Sequence, residues 1–223
     1  TSWFQEETRK SLSHLRTTQI VVTRLITITV LTCFKHYDPS WFQEKPTISI
    51  DFINKLFIEK TASIIDVGGG DSLLVDYLLK AGYTNITVLD ISEKAIAKAK
   101  NRLGSKADKV KWIVSDILDF KSEDHFDVWH DRAAFHFITS QKGIEKYIKG
   151  LDKYVTSNGS VILGTFSKTG PKKCSGIPIT QYSEDSIKAL FEPLFKKESC
   201  VEQDHLTPFD TLQNFIFCTL KKQ

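Results

Sequence analysis

From residue 64 onward the apolar positions come in short runs separated by stretches of helical periodicity. Ile64, Ile65 and Val67 make a compact strand, broken at once by Gly68, Gly69 and Gly70. After them Leu73, Leu74, Tyr77 and Leu78 recur at the spacing of one helix face, and Gly82 suits the left-handed residue that ends a helix. A second strand over residues 86–89 delivers Asp90 to its C-terminal end. Ser92 then stands where it can cap a helix over residues 93–103 that closes at Gly104. Further strands are predicted over residues 110–114, running into Ser115 and Asp116, over 126–130, and over 161–166 after an Asn158-Gly159 turn. Two alternating strands end the chain, the second over 212–220, with a loop carrying His205 between them. Strand and helix alternating in this order predict an α/β protein built on a doubly wound, mostly parallel sheet.

Composition narrows the picture. At 223 residues and 41% hydrophobic content, the chain suits one domain, 41–223, with an N-terminal extension over 1–40. Thirty Lys and Arg against 27 Asp and Glu give +3, dispersed over helices rather than gathered in a stripe, so nucleic acid is not an expected partner. Cys33, Cys174, Cys200 and Cys218 form no C-x-x-C pair; neither a metal site nor a disulfide framework is expected, and a reducing, cytoplasmic setting fits best. The apolar run 20–34 carries Arg24 and is shorter than the ~20 residues that cross a bilayer. It reads as a packed N-terminal element with no membrane partner, a targeting segment after Arg9, Lys10 and Arg16 being the alternative. Ser2-Trp3-Phe4-Gln5-Glu6 recurs as Ser40-Trp41-Phe42-Gln43-Glu44, and the second copy leads directly into the domain. The chain contains no methionine, which fits a trimmed or unusual N-terminus.

The glycine turn carries the first chemistry. Glycines after a strand let the backbone approach a ligand closely, and an acid about twenty residues on can accept ribose hydroxyl bonds. A nucleoside cofactor is therefore expected. A dinucleotide fingerprint needs a third glycine where Leu73 stands, and Asp66 at the mouth of the turn would repel a diphosphate but attract an ammonium group. On Asp66, Gly68, Gly70 and Ser72 the chain resembles the class I S-adenosylmethionine-dependent methyltransferases. That resemblance implies a seven-stranded, mostly parallel sheet with an antiparallel C-terminal strand, and S-adenosyl-L-methionine as cofactor. It implies a cofactor site of Asp66, Gly68, Gly69, Gly70, Asp90, Ile91, Asp116, Ile117 and His130, with Asp116 on the adenine amine.

The acceptor should lie after the fourth and fifth strands. There Trp129-His130-Asp131-Arg132-Ala133-Ala134-Phe135-His136-Phe137 packs two histidines, an ion-pair candidate and three aromatics into nine residues. It lacks the N-P-P-Y signature used on amide or nucleobase nitrogen, and its D-R-A pattern more loosely resembles the thiopurine and small-molecule thiol branch. His130 or Asp131 could serve as the acceptor's base; alternatively Asp131 caps a helix beginning near Ala133 and His136 lies on a helix surface. Trp41, Arg132, His136, Cys174 and His205 are candidate acceptor contacts. A methyltransferase acting on a small molecule is the expected function. A protein lysine as acceptor and a non-catalytic binding module are the alternatives.

Overall fold

A computed structural model describes residues 43–223. Trp41, the extension 1–40, the apolar run 20–34 and both copies of the repeat, save Gln43 and Glu44, lie outside the described residues. The elements in order are α1 (Thr47–Lys55), β1 (Ser63–Val67), α2 (Leu74–Lys80), β2 (Asn85–Asp90), α3 (Glu93–Leu103), β3 (Val110–Val114), β4 (Phe126–Arg132) and α4 (Gln141–Tyr154). They continue with β5 (Val155–Phe166), a small ribbon of β6 (Lys173–Cys174) and β7 (Ile177–Pro178), α5 (Glu184–Phe191), β8 (Phe195–Leu206) and β9 (Leu212–Lys222).

Seven strands form one sheet in the order β3-β2-β1-β4-β5-β9-β8. β1 to β5 pair in parallel, while β9 runs antiparallel to both β5 and β8. The resemblance implied this α/β, doubly wound sheet with its antiparallel C-terminal strand. Each helix is local chemistry plus one buried face. Ser92 Oγ accepts from Ala95 N at 3.2 Å to start α3, and Ser140 Oγ accepts from Gly143 N at 3.2 Å to start α4. Ile144, Tyr147, Leu151 and Tyr154 on α4 recur on one side and pack with Trp129 and Leu163. On the opposite face of the sheet Phe52 and Ile53 of α1 and Leu74 and Leu78 of α2 pack with Val128, Ile162, Phe166 and Phe217.

Three local expectations change. The helix expected near Ala133 is only a 3₁₀ turn, Phe135–Phe137, and α4 waits for the Ser140 cap. His205 lies in β8 rather than in a loop, paired with Gln213 of β9, because the hairpin turns only after Leu206. Cys200 and Cys218 form a disulfide, against the expectation from their spacing. Register explains it: antiparallel pairing sets them directly opposite across β8 and β9, a proximity that a separation of 18 residues does not reveal. Among the described residues no helix is long and apolar enough to cross a membrane.

Candidate active site

The C-terminal ends of β1, β2 and β3 meet the glycine turn. Gly68 has φ +71°, and a Cβ on Gly69 would stand 2.2 Å from Asp66 Oδ2, so only glycine allows the loop to fold back over that carboxylate. Asp66 is buried; Oδ1 lies 2.7 Å from His130 Nδ1, whereas Oδ2 has no hydrogen-bond partner. Asp90 accepts from Gly70 N at 3.0 Å and Ser92 N at 2.7 Å. Burial pushes its pKa up against the pull of those two N–H groups. Asp116 Oδ1 accepts from Leu118 N at 2.8 Å, and Ser115 N donates to Asp90 O at 3.0 Å, tying the end of β3 to that of β2. Ile91 and Ile117 stand half-buried beside these two acids. Behind the turn Arg102 bonds Asp71, Asp76 and the Ser72 carbonyl, clamping the loop to α3.

β4 carries the second half. Strand alternation puts His130 and Arg132 on the face of Asp66, and Trp129 and Asp131 on the other. The His130 ring bridges two elements, with Nε2 2.9 Å from Ser49 Oγ of α1. Arg132 has its pKa lowered by burial, with Asp66 acting in the opposite sense. Asp131 is fully buried under α4, where it accepts from Tyr147 Oη at 2.7 Å, Ala134 N at 3.0 Å and Phe135 N at 3.1 Å. Burial outweighs these bonds and raises its pKa to about 6. Asp131 thus anchors the backbone that leaves β4 through Ala133 at φ +69° and brings Ala134 against Gly68.

From that turn a file of rings runs across the sheet. His136 stacks on Phe166 with centroids 4.8 Å apart, Phe166 meets Phe215 at 4.6 Å, and Phe215 meets His205 at 6.1 Å. Gln43 Nε2 lies 3.0 Å from His205 Nδ1. Cys174 is buried in the same cluster. His136 is not on a helix surface: it is 0% exposed, neither ring nitrogen has a hydrogen-bond partner, and burial lowers its pKa to about 3.

Asp66, the three glycines, Asp90, Ile91, Asp116, Ile117 and His130 therefore gather at one edge. Arg132, His136, Cys174 and His205 belong to the adjoining part of the same face. Asp131 faces away from both, which removes the expectation that it deprotonates an acceptor and leaves the capping alternative. Sequence reasoning missed Ser49 and Gln43 as members of the site; a serine in an amphipathic helix and a glutamine before it carry no spacing signal. The buried oxygens Gln43 Oε1 and Gln213 Oε1 lack partners, and burial raises the pKa of Tyr182 to about 12 against the pull of Thr180.

A family profile described as "Methyltransferase domain" matches residues 64–159. Malonyl-acyl-carrier-protein O-methyltransferase 2 of Ilyobacter polytropus is 30% identical over 111 residues, 49% of this chain and 41% of that protein. EEF1A lysine methyltransferase 2 of Homo sapiens is 27% identical over 144 residues, 60% of this chain and 61% of that protein. The chain spans about half the length of the curated relatives it matches. Among solved structures, Burkholderia thailandensis 1,6-didemethyltoxoflavin-N1-methyltransferase, with its substrate and S-adenosylhomocysteine bound, superposes at TM-score 0.69 and 16% identity, over 93% of this chain and 89% of that one. Residues 64–159, which hold the glycine turn, its three acids and the strands that carry them, are thus similar to a methyltransferase domain, and the fold is that of the class I S-adenosylmethionine-dependent methyltransferases.

Proposed function

We propose that the protein transfers a methyl group from S-adenosylmethionine to a small-molecule acceptor. One observation carries the reading: a buried carboxylate oxygen, Asp66 Oδ2, stands without a partner under a loop that only glycine can form. A buried carboxylate oxygen without a hydrogen-bond partner is costly, so the site suits a ligand that brings a donor, such as an ammonium group, to it. The fit extends outward from there. Asp66 would hold the ammonium, Asp90 the ribose hydroxyls, and Asp116 with Ile91 and Ile117 the adenine. When bound, the cofactor supplies a sulfonium methyl, an electrophile with a good leaving group.

The chain's own work is then alignment and exclusion of water. Arg132, His136, Cys174 and His205 form the acceptor wall. Burial keeps His136 a neutral imidazole at physiological pH, with one N–H to donate and one lone pair to accept, suited to holding a protic acceptor. Asp131 acts at one remove, fixing the turn that presents His136.

A protein lysine is the second reading, favoured by the likeness to the human lysine methyltransferase. Calorimetry should detect S-adenosylmethionine or S-adenosylhomocysteine and show preference over NAD; preference for NAD would reverse the assignment. Methyl-labelled cofactor offered with thiols, phenols, carboxylates and whole-cell protein separates the acceptors. Label on protein would promote the lysine reading, and binding without any transfer would leave a binding module.

A further inference from the structure

The partners of Ser49 raise a question that the acids alone do not. Ser49, on α1, is 0% exposed, and its hydroxyl makes one hydrogen bond among the described residues, to His130 Nε2 at 2.9 Å. Across the ring, Nδ1 lies 2.7 Å from Asp66 Oδ1. Serine, imidazole and carboxylate thus stand in one line, from a helix through β4 to β1. Counting hydrogens selects the arrangement. A carboxylate oxygen at that distance requires a proton on Nδ1, since two facing lone pairs would repel. If Nε2 were protonated as well, the Ser49 hydroxyl hydrogen would face another hydrogen and be left fully buried without an acceptor, at the cost of an unmade bond. With Nε2 bare, Ser49 donates to it, the imidazole donates to Asp66 Oδ1, and every hydrogen in the line is used. The single vacant position left is Asp66 Oδ2, beneath Gly69.

We infer that Ser49 is a positioning residue for cofactor binding: by donating to Nε2 it holds His130 as the neutral Nδ1–H tautomer, which fixes Asp66 by one oxygen and presents the other to an ammonium group. An imidazolium in that place would cancel the charge of Asp66, and the Nε2–H tautomer would drive the carboxylate away. The relay also ties α1 to the cofactor edge, so the helix that follows Gln43 closes over the same site that Asp66 opens. The identity of the ammonium rests on the methyltransferase reading; the state of the ring does not.

The test separates the two. Long-range ¹H–¹⁵N spectra of the ligand-free protein, with the His130 signal identified by its loss in His130→Asn, should show a neutral ring protonated at Nδ1. A ring protonated at Nε2, or at both nitrogens, overturns the inference whatever the protein binds. By calorimetry Ser49→Ala should weaken S-adenosylhomocysteine about tenfold, roughly the worth of one buried hydrogen bond, while Ser49→Thr, which keeps the hydroxyl, restores binding to within about threefold. Equal affinity of Ser49→Ala and the unaltered protein also overturns it. Failure of the unaltered protein to bind S-adenosylhomocysteine would instead remove the methyltransferase reading, and the ring spectrum would still decide the relay. Should Ser49→Ala not fold, the spectrum and Ser49→Thr carry the decision.

Discussion

At the scale of single residues, Asp66 and His136 share one anomaly, polar atoms buried without partners, and opposite remedies test it. For Asp66 the space around the vacant oxygen is the feature to disturb. A Cβ on Gly69 would meet Asp66 Oδ2 at 2.2 Å, a contact that neither group can keep. Gly69→Ala should therefore swing the carboxylate aside and lower S-adenosylhomocysteine affinity by about 1–3 kcal/mol, the range for overpacking a filled site; titration calorimetry that found unchanged affinity would take Asp66 out of the cofactor site. For His136 the ring itself is the feature to replace. Two nitrogens without partners make it a poor core residue, and Phe in the same stack on Phe166 has no polar atom to satisfy. His136→Phe should raise stability by about 1 kcal/mol at neutral pH while depressing turnover, the pattern of a residue kept for function. The sign with pH follows from the lowered pKa. Held near 3 when folded and near 6.5 when unfolded, His136 weakens the fold as pH falls through 6.5, so the advantage of Phe should grow toward acid. Urea unfolding at pH 5 and pH 7.5 checks both claims, and a destabilised variant with full activity would defeat them.

At the scale of elements, the turn after β4 shows how a buried acid organises backbone. Asp131 receives three hydrogen bonds and still has its pKa raised to about 6, because burial outweighs them. Between about pH 4 and pH 6 the folded state keeps a proton that the unfolded chain has released, so stability declines as pH rises through this window and levels off above it. The span of about two pKa units corresponds to on the order of 3 kcal/mol. Asp131→Asn keeps an acceptor for Ala134 N and Phe135 N and carries no titrating proton; its stability should lack this decline, measured by denaturant unfolding across pH 4 to 7. Parallel curves for the two proteins would mean that Asp131 does not titrate there. Much of this architecture was legible beforehand. Ser92, Gly104 and the acids at strand ends are local signals, and α3 and β3 lie where those signals put them. What stayed hidden depends on register or on both faces of the sheet at once. Asp131 and His130 are neighbours in sequence yet point to opposite layers, Cys200 and Cys218 meet only through strand pairing, and Ser49 reaches His130 from another layer. The burial of His136 had no local sign either, since the turn that carries it looks in sequence like the start of a surface helix.

Over the whole molecule, the strand order puts β1 and β4 side by side where the sheet's connections diverge, the place where open α/β sheets bind ligands. One half, β1 to β3, carries the acids proposed to hold the cofactor; the other, β4 to β9, carries the residues proposed to face the acceptor, ending at a hairpin whose Leu206 and Leu212 are 60% and 66% exposed. The halves are joined by two different materials. Between β1 and β4 the link is polar and short, Asp66 to His130. From His136 to His205 it is a file of rings in van der Waals contact. Hydrogen exchange should therefore respond in two stages. S-adenosylhomocysteine alone should slow exchange at residues 66–72, 90–92 and 116–118 and, at a hundredfold excess over Kd, stabilise the protein by about 2.7 kcal/mol through mass action. Amides at 203–214 should slow further only when an acceptor is added, because none of the residues proposed for the cofactor lies on the β8–β9 hairpin, whereas His205 on it is a proposed acceptor contact. Equal protection of both regions by S-adenosylhomocysteine alone would show that the hairpin belongs to the cofactor's unit, and the acceptor would then have to be sought elsewhere on the sheet.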